Sequence, residues 1–301
     1  MKIVMLAGGV GGARMARGFA AMTEVETTIV ANVGDDDSIY GLHISPDVDT
    51  IVYSLAGVEG SQGWGRADDT WRVMAELERF GVDTSFRLGD MDLALNLFRT
   101  KRLTSGTPLS EITRMQAEAF DVPLRILPVT DDRLRTQVQT ESTGAWLDFQ
   151  TYFVRRRHQD RVAAVRFDGA SSASPAPGVL AAIGEADAVV IAPSNPVLSI
   201  WPILAVDGIR EALGGAHVMA VSPLIGGKAL KGPAADVMAS LGLPSGTEGV
   251  IAAYDGLLDD LIVDASDVIE QPDVRIIGTD TRIPDWERAW RLAKEMVGWL
   301  T

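Results

Sequence analysis

The chain of 301 residues has no cysteine, is 47% apolar, and carries 27 basic against 41 acidic side chains, a formal charge of −14. The absence of cysteine excludes disulfides, thiolate metal sites and a thiol nucleophile, and the acidic balance argues against a nucleic-acid binder, which needs a basic face for phosphate. The apolar share suffices for a large core, but a phosphorylated ligand would need a local positive field from helix N-termini, a few Arg or Lys, or a metal.

Lys2–Ala7 is a short apolar run that ends in glycine, the pattern of a buried parallel strand. Because glycines follow at once, no signal peptide is expected and the protein reads as cytoplasmic. Gly8–Gly12 is a glycine-rich turn, Ala13–Met22 has helical composition, and Thr27–Val33 is a second β-rich run, together a βαβ opening. Residues from Ser45 to about Asp121 read as a mostly helical insertion, with helices over Asp68–Phe80, Met91–Phe98 and Leu109–Phe120. In the first of these, Trp71, Met74, Ala75 and Leu77 share a face.

Leu124–Val129 returns to a strand pattern. Thr136–Val154 alternates on both sides of Ser142-Thr143-Gly144, which predicts a β-hairpin. Arg161–Phe167 is a further strand and Pro175–Ile183 a helix. The charge-free stretch Ala188–Val206 contains Pro193, Pro196 and Pro202, so it reads as a strand, a turn and a helix start rather than a membrane span. Strands Ala188–Ala192 and His217–Val221 flank a helix over Gly208–Leu213, a second βαβ unit. Val274–Gly278 reads as the last strand, and Pro284–Leu300 as an amphipathic helix with Trp286, Trp290, Ala293, Met296, Val297 and Leu300 on one face. The expectation is one α/β domain over 1–301, a Rossmann-like doubly wound, mainly parallel sheet with a helical insertion at about 45–121 and a β-hairpin.

Six segments carry possible chemistry. Gly8-Gly9-Val10-Gly11-Gly12 lets backbone amides approach an anion at a helix start. The dinucleotide pattern fails at Arg14, and the Gly-Lys-Ser/Thr ending of a P-loop is absent. Asn32-Val33-Gly34-Asp35-Asp36-Asp37 ends the second strand, where ligands of parallel sheets bind; Asp36 there suits a hydroxyl or a divalent metal. In His43-Ile44-Ser45-Pro46-Asp47-Val48-Asp49-Thr50, Asp47 and Asp49 suit Mg²⁺ or a proton acceptor, while Ser45-Pro46 also fits a helix N-terminus. Arg87-Leu88-Gly89-Asp90-Met91-Asp92 offers a cation for an anionic or heteroaromatic ligand, with Asp90 equally suited to a helix cap. Ser194 and Asn195, fixed between Pro193 and Pro196, make a rigid polar loop suited to a base edge or a ribose. The loop after His217–Val221 supplies Gly226, Gly227, Lys228 and Lys231 to hold phosphate. The histidines show no ligand spacing, and Arg155–His158 has no assigned role.

Taken in order, these motifs resemble the 2-phospho-L-lactate transferase family of coenzyme F-420 biosynthesis, including its actinobacterial phosphoenolpyruvate transferase branch. The carriers are the glycine turn, Ile44-Ser45-Pro46-Asp47-Val48-Asp49-Thr50, Leu88-Gly89-Asp90-Met91-Asp92, Pro193-Ser194-Asn195-Pro196 and Val221-Ser222-Pro223 with Ile225-Gly226-Gly227. The resemblance implies transfer of a phosphoenolpyruvyl or 2-phospholactyl group from a guanosine-diphospho-linked donor to the deazaflavin Fo, with release of GMP. It implies Mg²⁺, a homodimer, deazaflavin contacts at Asp49 and Arg87 with Asp90 beside them, and nucleotide contacts at Gly9, Val10, Gly11, Gly12, Asp36, Ser194 and Asn195, with Gly226 and Lys228 added from the later loop. Catalysis and metal binding would fall to Asp47 and Asp49. Val10 stands where many relatives have threonine, so it would act through its backbone only. The rival is a non-catalytic nucleotide-sugar-binding regulator of the gluconeogenesis-factor type, which shares the glycine turn but has no use for the Asp47–Asp49 segment. An oxidoreductase is disfavoured by Arg14 and the acidic run Asp35–Asp37.

Overall fold

The computed structural model describes residues 1–300. Strand β1 (Lys2–Ala7), helix α1 (Gly9–Ala20) and strand β2 (Glu26–Ala31) form the first βαβ unit, with Ile3 opposite Thr27 and Ala7 opposite Ala31. A small antiparallel hairpin follows, β3 (Asp37–Ile39) with β4 (Leu42–Ile44). Four helices come next: α2 (Pro46–Leu55), α3 (Arg72–Arg79), α4 (Asp90–Thr104) and α5 (Leu109–Ala119). Strand β5 (Arg125–Pro128) then returns to pair with β2. Strands β6 (Arg135–Thr140), β7 (Trp146–Asp148) and β8 (Val162–Asp168) make a separate antiparallel sheet in the order β7-β6-β8.

The second half alternates again. Helix α6 (Val179–Glu185) leads into β9 (Ala188–Ile191), followed by a wide π-helical turn over Pro196–Ile200, then α7 (Trp201–Leu204) and α8 (Ile209–Leu213). Strand β10 (Val218–Val221) is followed by a short hairpin of β11 (Leu224–Ile225) and β12 (Lys228–Ala229). Helices α9 (Ala234–Ser240) and α10 (Gly246–Tyr254), strands β13 (Asp260–Asp264) and β14 (Arg275–Thr279), and helix α11 (Trp286–Leu300) complete the chain.

The central sheet has seven strands, all parallel, in the order β14-β13-β10-β9-β1-β2-β5. Chain order reverses at β1, whose neighbours are β2 and β9. In such a sheet the ligand crevice opens outside the carboxyl ends of the strands at that reversal. Helices cover both faces, so β9 and β10 are buried at every position and read as continuous apolar runs. The Rossmann-like expectation, with helical insertion and hairpin, holds.

Four local expectations change. Strand β13 escapes sequence detection because only Leu261-Ile262-Val263 is apolar between Asp259, Asp260 and Asp264. The hairpin segment stops being strand after Asp148, and Thr151–Arg155 turns into a π-helical turn. In α3 only Met74 is buried, and Trp71 lies before the helix with a half-exposed ring. Helix α11 buries Ala289, Leu292, Ala293 and Met296, a face rotated from the expected one, and leaves Trp286 exposed. The rotation follows from close packing on α1: a Cβ at Gly18 would sit 2.2 Å from the Ala289 carbonyl oxygen. Among the described residues no helix is long and apolar enough to cross a membrane.

The α1–α11 contact yields a sign test. Gly→Ala within a helix ordinarily gains about 0.5–1 kcal/mol. Gly18→Ala should instead lose about 1–3 kcal/mol, because the methyl meets backbone that cannot step aside. The urea midpoint of the variant against the parent measures this.

Candidate active site

The glycine turn lies at the reversal point, between the ends of β1, β2 and β9. Its conformation is set by close neighbours. A Cβ on Gly11 would fall 2.1 Å from the Pro193 carbonyl oxygen, and Gly9 has φ +65. Ser194 pins the turn from β9's side: its Oγ donates to Gly8 O at 2.7 Å and accepts from Gly8 N at 3.2 Å. The Asn195 Oδ1 accepts from Val197 N at 3.0 Å and Leu198 N at 3.1 Å, capping the π-helical turn. These side chains are thus committed to shaping the loop, and a ligand would meet the backbone or the Asn195 Nδ2. The Val10 side chain packs under the insertion loop, where a Cβ on Gly63 would come 2.7 Å from Val10 Cγ1.

Asp47 joins this turn to the insertion. Helix α2 starts at Pro46, whose fixed φ suits a first helical position. Asp47 in its first turn reaches back, its Oδ1 accepting from Gly9 N at 2.6 Å and its Oδ2 from Asn32 Nδ2 at 2.9 Å. The Asn32 Oδ1 in turn accepts from Gly34 N at 2.7 Å. The expected helix cap does not form: Ser45 Oγ donates instead to Asp36 Oδ2 at 2.6 Å, and His43 Nε2 lies 2.8 Å from the same oxygen.

Asp35, Asp36 and Asp47 are 4%, 2% and 6% exposed. The Oδ1 atoms of Asp35 and Asp36 are buried without a partner. Burial, then repulsion from Asp47 and Asp36, drives the Asp35 carboxyl well above the usual range. Burial also lifts Asp47, to about 6, against the lowering effect of the Asn32 and Gly9 hydrogen bonds. Burial and mutual repulsion thus make both carboxyls bind a proton more readily than a free carboxyl does, and a cation beside them would relieve the same repulsion.

Asp49 points elsewhere. Two residues along a helix are about 200° apart, so Asp47 and Asp49 cannot share a face. The Asp49 Oδ1 accepts from Arg99 Nη2 of α4 and from Gln116 Nε2 of α5, the latter at 2.8 Å. Arg87 lies with its guanidinium 4.9 Å from the Trp71 ring centre. Asp90 caps α3, accepting from Arg72 N at 3.2 Å and Val73 N at 3.0 Å, while Asp69 caps α4 through Met91 N at 2.9 Å and Asp92 N at 3.2 Å. The cap expected at Asp90 therefore exists, but on the neighbouring helix. The Gly226 amide donates to Asp267 Oδ2 at 2.7 Å, and Lys228 is exposed on β12. Lys231 bridges to the insertion, its Nζ 3.1 Å from Gln62 O and 6.0 Å from the Trp64 ring centre.

The structure thus gathers Gly9–Gly12, Asp36, Asp47 and Ser194 at the reversal point, and sets Asp49, Arg87 and Asp90 in the helical insertion. Sequence reading missed the roles of Asn32, Arg99 and Gln116. A signal existed for Arg99: Asp92, Asn96 and Arg99 recur at helical spacing, a polar stripe turned inward on α4.

A glycine turn at the switch point of a seven-stranded parallel sheet, roofed by buried carboxylates, defines a Rossmann-like α/β protein. The sequence matches the family model "2-phospho-L-lactate transferase CofD" over residues 3–276. The chain belongs to this transferase family and is an enzyme. It is 44% identical over 286 residues to a phosphoenolpyruvate transferase of Streptomyces coelicolor, covering 92% of this chain and 90% of that one. It is 37% identical over 303 residues to a 2-phospho-L-lactate transferase of Methanopyrus kandleri, covering 99% and 97%. A crystal structure of a UPF0052 family protein from Bacillus halodurans superposes with TM-score 0.64 at 16% identity over 98% of this chain and 99% of that one, a likeness of fold alone.

The buried carboxyls predict a pH dependence. Below about pH 4 the Asp47 proton is bound in folded and unfolded chains alike. Between about pH 4 and 6 only the folded chain keeps it, so unfolding releases a proton and stability falls as pH rises. In metal-free protein, Asp47→Asn should shrink that fall by roughly 2–3 kcal/mol. Denaturant midpoints from pH 4 to 8 in the presence of a chelator check this; equal slopes for both proteins would refute it.

Proposed function

We propose that this enzyme joins a guanylylated three-carbon acid to the deazaflavin Fo in coenzyme F-420 biosynthesis. The acceptor's terminal hydroxyl oxygen attacks the phosphorus that bears the phosphoenolpyruvyl or 2-phospholactyl group. A phosphodiester forms, the bond to the guanosine-bearing phosphate breaks, GMP leaves, and the hydroxyl proton passes to a base. Such a transfer needs positioning and charge neutralisation more than covalent catalysis. The observation that carries this reading is Asp47 on the Gly9 amide, which fastens the acidic segment directly onto the phosphate-type turn. The family match over residues 3–276 and the names of the two relatives support transferase chemistry over the regulatory rival.

In this reading the Gly11 and Gly12 backbone and the Ser194–Asn195 loop receive the guanosine nucleotide, and Lys228 approaches it from the later loop. Asp49 and Arg87 receive the deazaflavin. The residues also fit Mg²⁺, with one change from the sequence expectation. Asp49 is already neutralised by Arg99, whereas Asp35 and Asp36 bury unpartnered oxygens beside Asp47. Among the described residues no group of three His, Asp or Glu side chains is placed to hold a metal ion, so one or two carboxylates at most would contribute. That suits Mg²⁺, which takes one or two carboxylates and completes its shell with water and substrate phosphate. When bound, Mg²⁺ would offset charge on the donor phosphates. The protein's own groups would do the rest: Asn32 and Gly9 fix Asp47, and Asp47 would face a phosphate bound at the turn as a candidate proton acceptor. A cytoplasmic homodimer is part of the proposal.

Incubation with Fo and each guanylylated donor, with and without Mg²⁺, should give the phosphodiester, detected by mass. Absence of product with both donors would favour the regulatory rival. Asp49→Ala should cut kcat/KM for Fo by about tenfold or more, the worth of a lost hydrogen bond to a charged group. Unchanged Fo affinity and turnover would sink the Asp49 assignment.

A further inference from the structure

Arg99 is the largest fully buried side chain of the protein. Its guanidinium bonds Asp49 Oδ1, and it also donates to Asn96 Oδ1 at 2.6 Å and to the His43 carbonyl at 3.3 Å, with a longer contact to Gln116 Oε1 at 3.4 Å. Gln116 then donates its own amide to the same Asp49 oxygen at 2.8 Å. Both donors converge on Oδ1. No group among residues 1–300 bonds Asp49 Oδ2, and the Asp49 side chain is 10% exposed. The carboxylate is held by one oxygen and offers the other.

Stability alone is a poor reason for this arrangement. A buried ion pair loses hydration on both sides and is commonly no more stabilising than apolar side chains of the same size. Here the desolvation is compounded, because Arg99 Nε is buried without a partner. What the pair does supply is orientation. Arg99 Nη2 holds Asp49 Oδ1 while Nη1 of the same rigid plane is anchored on Asn96 and His43, a divided grip that an ammonium cannot reproduce. The link also reaches the reversal-point cluster, since the His43 whose carbonyl takes Arg99 places its ring on Asp36.

We propose that Arg99, supported by Gln116, is a positioning residue for the acceptor: it locks Asp49 Oδ1 so that Oδ2 is presented to a hydroxyl or ring N–H of the deazaflavin. This deepens the proposed function and rests on its assignment of Asp49 to the acceptor side. Arg99 itself touches no substrate. Its effect should therefore fall on acceptor binding and leave the guanosine nucleotide untouched.

The test is equilibrium dialysis of Fo and, separately, of GDP against wild type, Arg99→Lys, Gln116→Leu and the double variant Asp49→Asn/Arg99→Met, with melting temperatures recorded. The double variant removes both charges, so it avoids the stranded carboxylate that could unfold Arg99→Met alone. Arg99→Lys keeps the charge but loses the fork, and should weaken Fo by about tenfold with GDP affinity within twofold of wild type. In turnover, KM for Fo should rise by a similar factor with KM for the donor unchanged. The double variant should melt near wild type yet bind Fo at least tenfold more weakly, with GDP affinity within twofold of wild type. A parallel loss of Fo and GDP affinity, or normal Fo affinity in folded Arg99→Lys and Gln116→Leu, overturns the positioning role. Wild-type protein that takes up GDP but no Fo overturns the acceptor assignment itself, an outcome visible before any variant is made.

Discussion

The grip of the Asp47 carboxylate on the Gly9 amide ties the whole site together. It fastens the start of α2 to the start of α1, and through Asn32 to the end of β2. A glycine turn at a helix start would ordinarily offer its first amide to a phosphate. Here that amide is taken by a protein carboxylate, so a phosphate bound as proposed would use the later amides of the turn and approach an acidic roof. The overall charge of −14 is thus mirrored inside the crevice rather than offset there. Three buried carboxylates over an anion site are tolerable only with protons or a cation among them. The unpartnered Asp35 and Asp36 oxygens support the proposed divalent cation.

Helix α2 divides the site because neighbouring carboxylates on one helix turn to different sides. Asp47 faces the glycine turn and the end of the sheet. Asp49 faces α4 and α5, where Arg99 and Gln116 hold it. A donor bound at the sheet and an acceptor bound at the insertion would meet across this single helix. Crossed caps stiffen the insertion beside it, Asp69 closing α4 and Asp90 closing α3. Lys231 on Gln62 closes the gap between the insertion loop and the loop after β10, with Val10 packed beneath Gly63. The valine at that position therefore has a packing role, independent of any missing hydroxyl.

Much of this was legible in the sequence, for physical reasons that differ by element. Strands buried on both faces, such as β1, β9 and β10, announce themselves as unbroken apolar runs. β13 does not, because its buried Asp260 is paired with Arg275, 15 residues on, and hydrogen-bonded to His217, 43 residues back. The glycine turn and Pro46 were readable because backbone geometry restricts residue choice there. The partner of each carboxylate was not. Ser45 looks like a helix cap and instead bonds Asp36; Asp90 looks like its own helix's cap and instead closes α3. Asp47 and Asp49 look like a pair in sequence, and only the helix that carries them shows them parted. The inward polar stripe of α4 marks Arg99 as buried, but its pairing with Asp49, 50 residues away, leaves no local pattern.

Burial and mutual repulsion raise the proton affinity of Asp35 and Asp47, so the proposed binding of Mg²⁺ with guanosine phosphates beside them should displace a proton. Calorimetric titration of GDP with Mg²⁺ into the protein near pH 6, in two buffers of different ionisation enthalpy, reads that proton directly. The observed heat should differ between buffers by the amount expected for release of about one proton, and Asp47→Asn should abolish most of the difference. Equal heats in both buffers for the wild-type protein, with GDP bound, would contradict it.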